Sequence, residues 1–251
     1  MLPSPPAQLL SYFVLTLALL AAPLLHATTL GRIDVTCTVC SAKSEQTVIG
    51  STNAFGAPDL DLRPPEMQRS TMTFWVQECP SCGYCADDLS QPRPEAAAVV
   101  KSTAYQAQLK NPQFPPQANR FLCSMLVADK AGLREPAIRS AQYAAWTCDD
   151  ANKPAEAKLA RAAALERLRK LKSAGKSIYD QKGTDAVLLA DLARRSGDFV
   201  AAVASAREGL ALAPAAIVAA VLELEIRLAE QKDAQCHTLA ELPDPAPAKA
   251  E

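Results

Sequence analysis

The chain has 251 residues, with 26 basic against 27 acidic side chains and a formal net charge of -1. This balance leaves no excess of Lys and Arg, which argues against a nucleic-acid-binding protein that relies on a basic surface. Only two histidines occur, His26 and His237, so hydrolase and metalloenzyme designs built on several histidines are disfavoured. Eight cysteines are a high count, and they direct attention to metal or redox chemistry.

The N-terminus carries a long apolar run. Between Leu9 and Leu25 the chain reads LLSYFVLTLALLAAPLL, and no charged side chain precedes Arg32. The run is short for a membrane-spanning helix, and Ala27 offers a small residue at a cleavage point, so residues 1–27 are predicted to be a signal peptide. Because no Lys or Arg precedes the run, an uncleaved N-terminal anchor is the alternative. We expect an exported protein, periplasmic or secreted, which touches a membrane only if this segment stays uncleaved.

Residues 33–92 are predicted to form a small strand-and-loop module. Cysteine, proline and glycine recur through this stretch, and short apolar segments stand between them. The run Met72–Val76 is rich in β-forming residues and predicts the clearest strand of the module. The run Thr47–Ile49 predicts a weaker strand by the same argument.

Two Cys-x-x-Cys pairs are the sharpest signal in this module, namely Cys37 with Cys40 and Cys79 with Cys82. Two residues between thiols let one tight turn aim both sulfurs at a single point, and two such turns supply four ligands for a tetrahedral zinc ion. Gly83 follows the second pair, where such a turn favours a residue that tolerates a positive φ. The sequence predicts a structural zinc site, because four thiolate ligands leave no open coordination position.

The cysteines also allow other states. In an oxidising compartment, eight cysteines are enough for four disulfides. Alternatively, Cys79 and Cys82 could act as a thiol–disulfide redox pair, although that fold requires a βαβ continuation and the following sequence is helical. Cys123 and Cys148 fall on consecutive predicted helices, so a disulfide between them is a further prediction, with two buried free thiols as its alternative.

Four motifs follow one another between Asp34 and Leu89: the first Cys-x-x-Cys, Asp59-Leu60-Asp61, the predicted strand, and Cys-Pro-x-Cys-Gly-Tyr ending at Tyr84. This stretch resembles the bacterial domain of unknown function 2225 family. The resemblance implies a zinc-ribbon-like head on a helical body, with no established activity. Cys85 departs from it, because the family usually has alanine there. Asp59 and Asp61 are better explained as turn residues before a proline than as an acid–base pair.

Residues 94–240 are rich in alanine and leucine and predict a helical body. Proline stands at or near several predicted helix starts, where its missing N–H has little effect. The tail, residues 242–251, is rich in proline and alanine and is predicted to be disordered. The predicted helices are Pro94–Lys110, Gln117–Lys130, Glu135–Thr147, Pro154–Ala174, Thr184–Ser196, Phe199–Leu212 and Ala215–Lys232.

Small residues in this body follow the spacing of tetratricopeptide repeats. Such repeats place small residues at fixed positions so that two antiparallel helices pack closely. The matching residues are Gly197, Phe199, Ala202, Ala206, Leu210 and Pro214. An alanine-rich bundle without a true repeat is the alternative, since alanine matches many patterns by composition. A repeat array of this kind exposes a surface that serves as a platform for partners.

These patterns together predict a mainly α fold in which a zinc-ribbon-like head precedes a body of tetratricopeptide-like repeats. The predicted function is that of a non-enzymatic exported protein that binds another protein through its helical surface. The alternative function is thiol–disulfide exchange at Cys79 and Cys82. If head and body are separate domains, Cys79→Ser is expected to unfold the head and leave the helices folded.

Overall fold

The computed structural model describes residues 28–243. The predicted signal peptide or anchor and the tail beyond residue 243 therefore lie outside the described residues. The described chain is mainly α-helical, with a small N-terminal module of short strands beside a cysteine cluster. This arrangement confirms the predicted fold class, while the assignment to a repeat family stays a prediction. Within residues 28–243, no helix is both long and apolar enough to cross a membrane.

The head begins with an antiparallel hairpin, β1 (Thr29–Thr36) and β2 (Lys43–Ser51), in which Val35 pairs with Ser44. The predicted strand Thr47–Ile49 lies inside β2. Two further strands of two residues each, β3 (Gln77–Glu78) and β4 (Cys85–Ala86), pair antiparallel on either side of the second Cys-x-x-Cys. Each cysteine pair is thus held at the base of a hairpin-like turn.

The strand predicted at Met72–Val76 is wrong. The short helix α1 (Glu66–Arg69) precedes it, and residues Met72–Phe74 form a 3₁₀ turn. The Trp75 indole N–H donates to Thr71 Oγ1, and the Trp75 ring packs edge-on against Tyr143, with ring centroids 5.0 Å apart. The residues are β-formers, but a strand preference largely measures packing on a sheet, and here the side chains pack on a helix instead.

The helical body contains eight helices among the described residues. Six of the predicted helices agree with the observed ones to within a few residues at each end. The bounds are α2 Ala96–Lys101, α3 Thr103–Leu109, α4 Pro116–Lys130, α5 Arg134–Asp150, α6 Pro154–Ser173, α7 Thr184–Arg195, α8 Phe199–Ala211 and α9 Ala216–Glu230. The single helix predicted over Pro94–Lys110 is instead broken at Ser102, whose ψ of 148° is extended and whose Oγ accepts from Tyr105 N. Serine favours such a capping position over a helix interior.

One continuous core joins the head to the helical body. Val35, Cys37, Met72 and Cys79 belong to the same buried cluster as side chains from every helix between α2 and α9. A second cluster gathers apolar side chains of α7, α8 and α9 around Leu60, which is fully buried. The core therefore continues across the predicted boundary between head and body, near residue 93.

A group of buried charges lies between α7 and α9. Arg194 is fully buried and donates to Glu225 Oε2 at 2.7 Å and to Asp191 Oδ2 at 2.8 Å. Two carboxylates therefore face one guanidinium away from water. Burial raises the pKa of Glu225 to about 8, and the nearby Asp191 carboxylate acts in the same direction.

This raised pKa predicts how stability depends on pH. Between about pH 4.5 and 8, the native state holds a proton on Glu225 that the unfolded chain has released, so stability falls as pH rises through this window. We expect the melting temperature to fall between pH 6 and pH 8 and Glu225→Gln to weaken that dependence. Glu223→Gln, on the exposed side of the same helix, serves as the control. Equal pH profiles for the wild type and Glu225→Gln, measured by thermal denaturation, would contradict the assignment.

Candidate metal centre

The two Cys-x-x-Cys turns share one backbone design. In the first, Cys37 N donates to Ala42 O at 2.9 Å and Ser41 N donates to Cys37 O at 2.8 Å. The second repeats the pattern, with Cys79 N donating to Tyr84 O and Gly83 N donating to Cys79 O, both at 2.8 Å. In both turns the residue after the second cysteine has a positive φ, 60° for Ser41 and 73° for Gly83. The repeated geometry directs both thiols of each pair out of the turn.

The structure brings all four predicted ligands together. The sulfur atoms of Cys37, Cys40, Cys79 and Cys82 lie within 4.8 Å of one another. Cys37 Sγ is 3.8 Å from Cys82 Sγ, and Cys40 Sγ is 3.6 Å from Cys79 Sγ. Four sulfurs bound about 2.3 Å from one zinc ion lie about 3.8 Å apart in a tetrahedron. These separations suit ligands around one metal ion, and a disulfide requires sulfur atoms much closer together, at about 2.05 Å.

The four thiols differ in their surroundings. Cys37 and Cys79 are buried, whereas Cys40 is exposed. The backbone N–H of Ala42 lowers the pKa of Cys40 to about 7, while burial raises the pKa values of Cys37 and Cys82. A metal ion would offset this desolvation, because coordination favours the thiolate at every ligand position.

The turn at Gly83 leaves no room for a side chain at that position. A Cβ added there would lie 2.5 Å from Leu109 Cδ2, and the backbone already has a positive φ. We expect Gly83→Ala to lower the free energy of unfolding by about 1–2 kcal/mol and to weaken metal binding. Ser41→Gly is the matched control, because it relieves a positive φ at the equivalent position of the other turn. Chemical denaturation and a chelator competition measure both variants, and a greater loss in Ser41→Gly would contradict the prediction.

The second turn is anchored by a residue that the sequence interpretation missed. Tyr105, at the start of α3, is fully buried; its hydroxyl donates to Gly83 O at 2.8 Å and accepts from Cys85 N at 2.9 Å. One tyrosine thereby fixes the backbone on the far side of the turn. No local pattern indicates this contact, because Tyr105 lies about 20 residues after Gly83 and Cys85 in the sequence.

Cys85 and Cys123 lie next to each other in the core. Both are fully buried, and the proximity of Cys123 together with burial raises the pKa of Cys85. Cys123 Sγ contacts Tyr105 O at 3.8 Å. Cys85 lies outside the group of four sulfur atoms that could hold a metal ion. Cys148, near the end of α5, is a buried free thiol like Cys123. The structure thus has the free-thiol state that was the alternative to a Cys123–Cys148 disulfide, and that disulfide has no support in these contacts.

The two aspartates of the Asp59-Leu60-Asp61 motif are both buried, with exposures of 2% and 1%. Asp59 Oδ1 accepts from Arg69 at 2.7 Å, and Asp61 Oδ2 accepts from Trp146 Nε1 at 2.5 Å. Both carboxylates are therefore engaged by structural partners. Asp61 Oδ1 also accepts from Arg63 N, which is a turn bond of the kind that the sequence predicted.

Comparisons with known proteins add nothing to this geometry. No family model, curated protein or solved structure matches the chain. The assignment of the site therefore rests on the residues themselves and on the distances between their sulfur atoms.

Proposed function

We propose that this protein is a non-enzymatic interaction protein whose head is held together by a structural zinc ion on Cys37, Cys40, Cys79 and Cys82. The convergence of four sulfur atoms from two matching turns is the single observation that carries the proposal. A four-thiolate tetrahedral set favours zinc or iron over hard cations such as calcium and magnesium. With all four positions taken by protein sulfurs, the ion has a structural role.

The helical body supplies the interaction surface in this proposal. Several large apolar side chains remain exposed on it, including Val200 on α8 and Leu212 and Ile217 on either side of the turn between α8 and α9. Leu212 and Ile217 are close in the sequence at this turn, and exposed apolar side chains that cluster are typical of protein-binding surfaces. The proposed setting is outside the cytoplasm, and it rests on the apolar N-terminal run alone. The likeness to the domain of unknown function 2225 family belongs to the same proposal.

Metal analysis tests the head directly. We expect about one zinc ion per chain by elemental analysis of the purified full chain, and four thiols that react only after chelation and denaturation. Iron in place of zinc would contradict the proposed zinc ion and, because iron on four thiolates changes its oxidation state, would favour an electron-transfer role. Absence of any metal, together with disulfides among these four cysteines, would overturn the proposed site.

Thiol–disulfide exchange at Cys79 and Cys82 is less well supported. A nucleophilic cysteine needs a low pKa and access to solvent, whereas Cys79 is fully buried and burial raises the pKa of Cys82. The turn also leads into the two-residue strand β4 and not into a helix N-terminus. We expect no rapid alkylation of either thiol at pH 7 in the metal-loaded protein. Reaction of Cys79 or Cys82 within seconds under these conditions would favour the redox function.

A further inference from the structure

A cleft of about 500 Å³ lies where the head meets helices α4 and α5. Its head side is formed by Trp75, by strand β4 and by the loop that carries Arg93, and its helical side includes Phe121 of α4 and Tyr143 of α5. Clefts that bind small molecules usually have volumes of about 300–1,000 Å³ and an apolar lining with a few polar groups. The size and lining of this head–body cleft therefore fit a small organic ligand.

Aromatic side chains form one part of the cleft wall. The Tyr143 ring contacts those of Trp75 and Phe121 edge-on, with ring centroids 5.0 and 5.4 Å away. Trp75 and Tyr143 are only partly buried, and both line the cleft. Aromatic rings pack favourably in offset or edge-on arrangements of this kind. A flat apolar ring of a ligand would therefore extend the existing cluster.

Two arginines line the same cleft, one from each side. Arg93 of the head donates through Nη2 to Asp87 Oδ1 at 2.7 Å, and Arg139 of α5 donates through Nε to Glu135 Oε1 at 2.8 Å. The carboxylate is the more exposed partner in each pair, at 72% against 21% in the first and 50% against 35% in the second. Among residues 28–243, Arg93 forms this one side-chain hydrogen bond, so its Nε and Nη1 remain available to an anion.

The Tyr84 hydroxyl is a buried donor that lacks a partner. Tyr84 is fully buried and lines the cleft, and its hydroxyl has no hydrogen-bond partner within the described part of the chain. An unpaired buried hydroxyl is unfavourable, and each such group calls for an explanation. The phenol and the Arg93 guanidinium both donate, whereas a carboxylate only accepts. A carboxylate in the cleft would thus satisfy both groups.

We propose that the head–body cleft binds a small organic carboxylate with a flat apolar body. The carboxylate accepts from Arg93 and Tyr84, and hydrogen bonds between charged groups of this kind are the stronger ones. The ring packs against Trp75 and Tyr143. A cationic ligand is disfavoured, because the carboxylates at this cleft already have arginine partners. The site goes beyond the proposed function, since it uses neither the four sulfur atoms of the metal centre nor the exposed apolar side chains of α8.

Calorimetric titration of the full chain with 2-naphthoate and with 2-naphthamide tests the proposal. The two probes share a flat apolar body, and only the first carries a negative charge. We expect the naphthoate to bind at least tenfold more tightly than the amide, because hydrogen bonds to a charged acceptor are stronger than those to a neutral one. Equal affinities, or no binding of either probe at millimolar concentration, overturn the proposal.

Three variants locate the bound anion. Arg93→Gln is expected to remove the preference for naphthoate over naphthamide, and Tyr84→Phe, which loses only the hydroxyl, to weaken naphthoate binding at least fivefold. Arg32→Gln is the control and should bind like the wild type, because this arginine is 73% exposed on β1. A folded Arg93→Gln chain that keeps the tenfold preference overturns the proposal. Unchanged naphthoate affinity in Tyr84→Phe does the same, so the test does not depend on one variant.

Zinc content of the same samples separates this proposal from the proposed metal centre. A zinc-loaded wild-type chain that shows no preference for the anion contradicts only the cleft. A metal-free chain that shows the preference supports the cleft and contradicts only the metal centre.

Discussion

Replacing Cys79 with serine is expected to abolish stoichiometric metal binding and to lower the free energy of unfolding by at least about 4 kcal/mol. Structural zinc contributes roughly 10–16 kcal/mol of binding free energy in small zinc domains, and a whole domain is stable by only about 5–15 kcal/mol. Because Cys79 is fully buried in the core that continues into the helices, we expect the helices to lose stability together with the head.

Unfolding is followed by circular dichroism in both proteins and, in the wild type, also by release of zinc. Far-UV circular dichroism reports the helices, and release of zinc to a chromophoric chelator reports the head of the wild type. Coincident transitions are expected. Cys236→Ser, at an exposed cysteine outside the metal cluster, is the control and should melt like the wild type. A Cys79→Ser chain that keeps the wild-type helical transition would contradict the shared core and restore the separate domains predicted from the sequence.

Replacing Arg194 with methionine is expected to lower the free energy of unfolding by about 3–5 kcal/mol, the usual result of removing one partner of a buried ion pair. The change leaves Asp191 and Glu225 buried without their common guanidinium. It also removes two hydrogen bonds to the backbone, at 3.0 Å to Asp233 O and 2.8 Å to Gln235 O, which hold the turn after α9. Urea denaturation measures the loss.

Two further variants isolate the cause of that loss. Arg207→Met removes a guanidinium that is 66% exposed and forms a 3.6 Å ion pair with Glu230, so its effect should stay within about 0.5 kcal/mol. Replacing Arg194, Asp191 and Glu225 together by Met, Leu and Met should recover most of the stability, because no buried charge is then left unpaired. A loss below about 1 kcal/mol in Arg194→Met would show that water reaches the cluster.

The group of four cysteines was predictable because most of the sequence pattern that specifies it is local. Each Cys-x-x-Cys fixes two ligands within one turn, and only the meeting of the two turns requires the tertiary fold. The position of Gly83 was likewise indicated by its place after the second cysteine. The equivalent Ser41 was missed because serine, unlike glycine, does not signal a positive φ. Most helix bounds were predictable for the same reason, since periodicity and proline mark them within the segment itself.

The positions of charged groups were not predictable in this way. Asp61 accepts from Arg195 across 134 residues of sequence, and no pattern near either residue indicates that their side chains are only 1% and 8% exposed. Burial of a charge depends on partners from distant segments, whereas a sequence pattern describes only neighbours. The same limit explains the strand predicted at Met72–Val76, where the contact of Trp75 with Tyr143 of α5 decides the local conformation.

Asp59 forms an antiparallel bridge with Thr238, and this contact sets an order on synthesis of the chain. A ribosome makes the head and every helix through α9 before residues 237–239, whose backbone pairs with residues 58–60, have emerged. Closing a loop of this length is entropically unfavourable and slow compared with forming the local helices. The nascent protein therefore passes through a period in which the helices are formed and the backbone groups of residues 58–60 still lack their C-terminal partners, and a chaperone can meet them there.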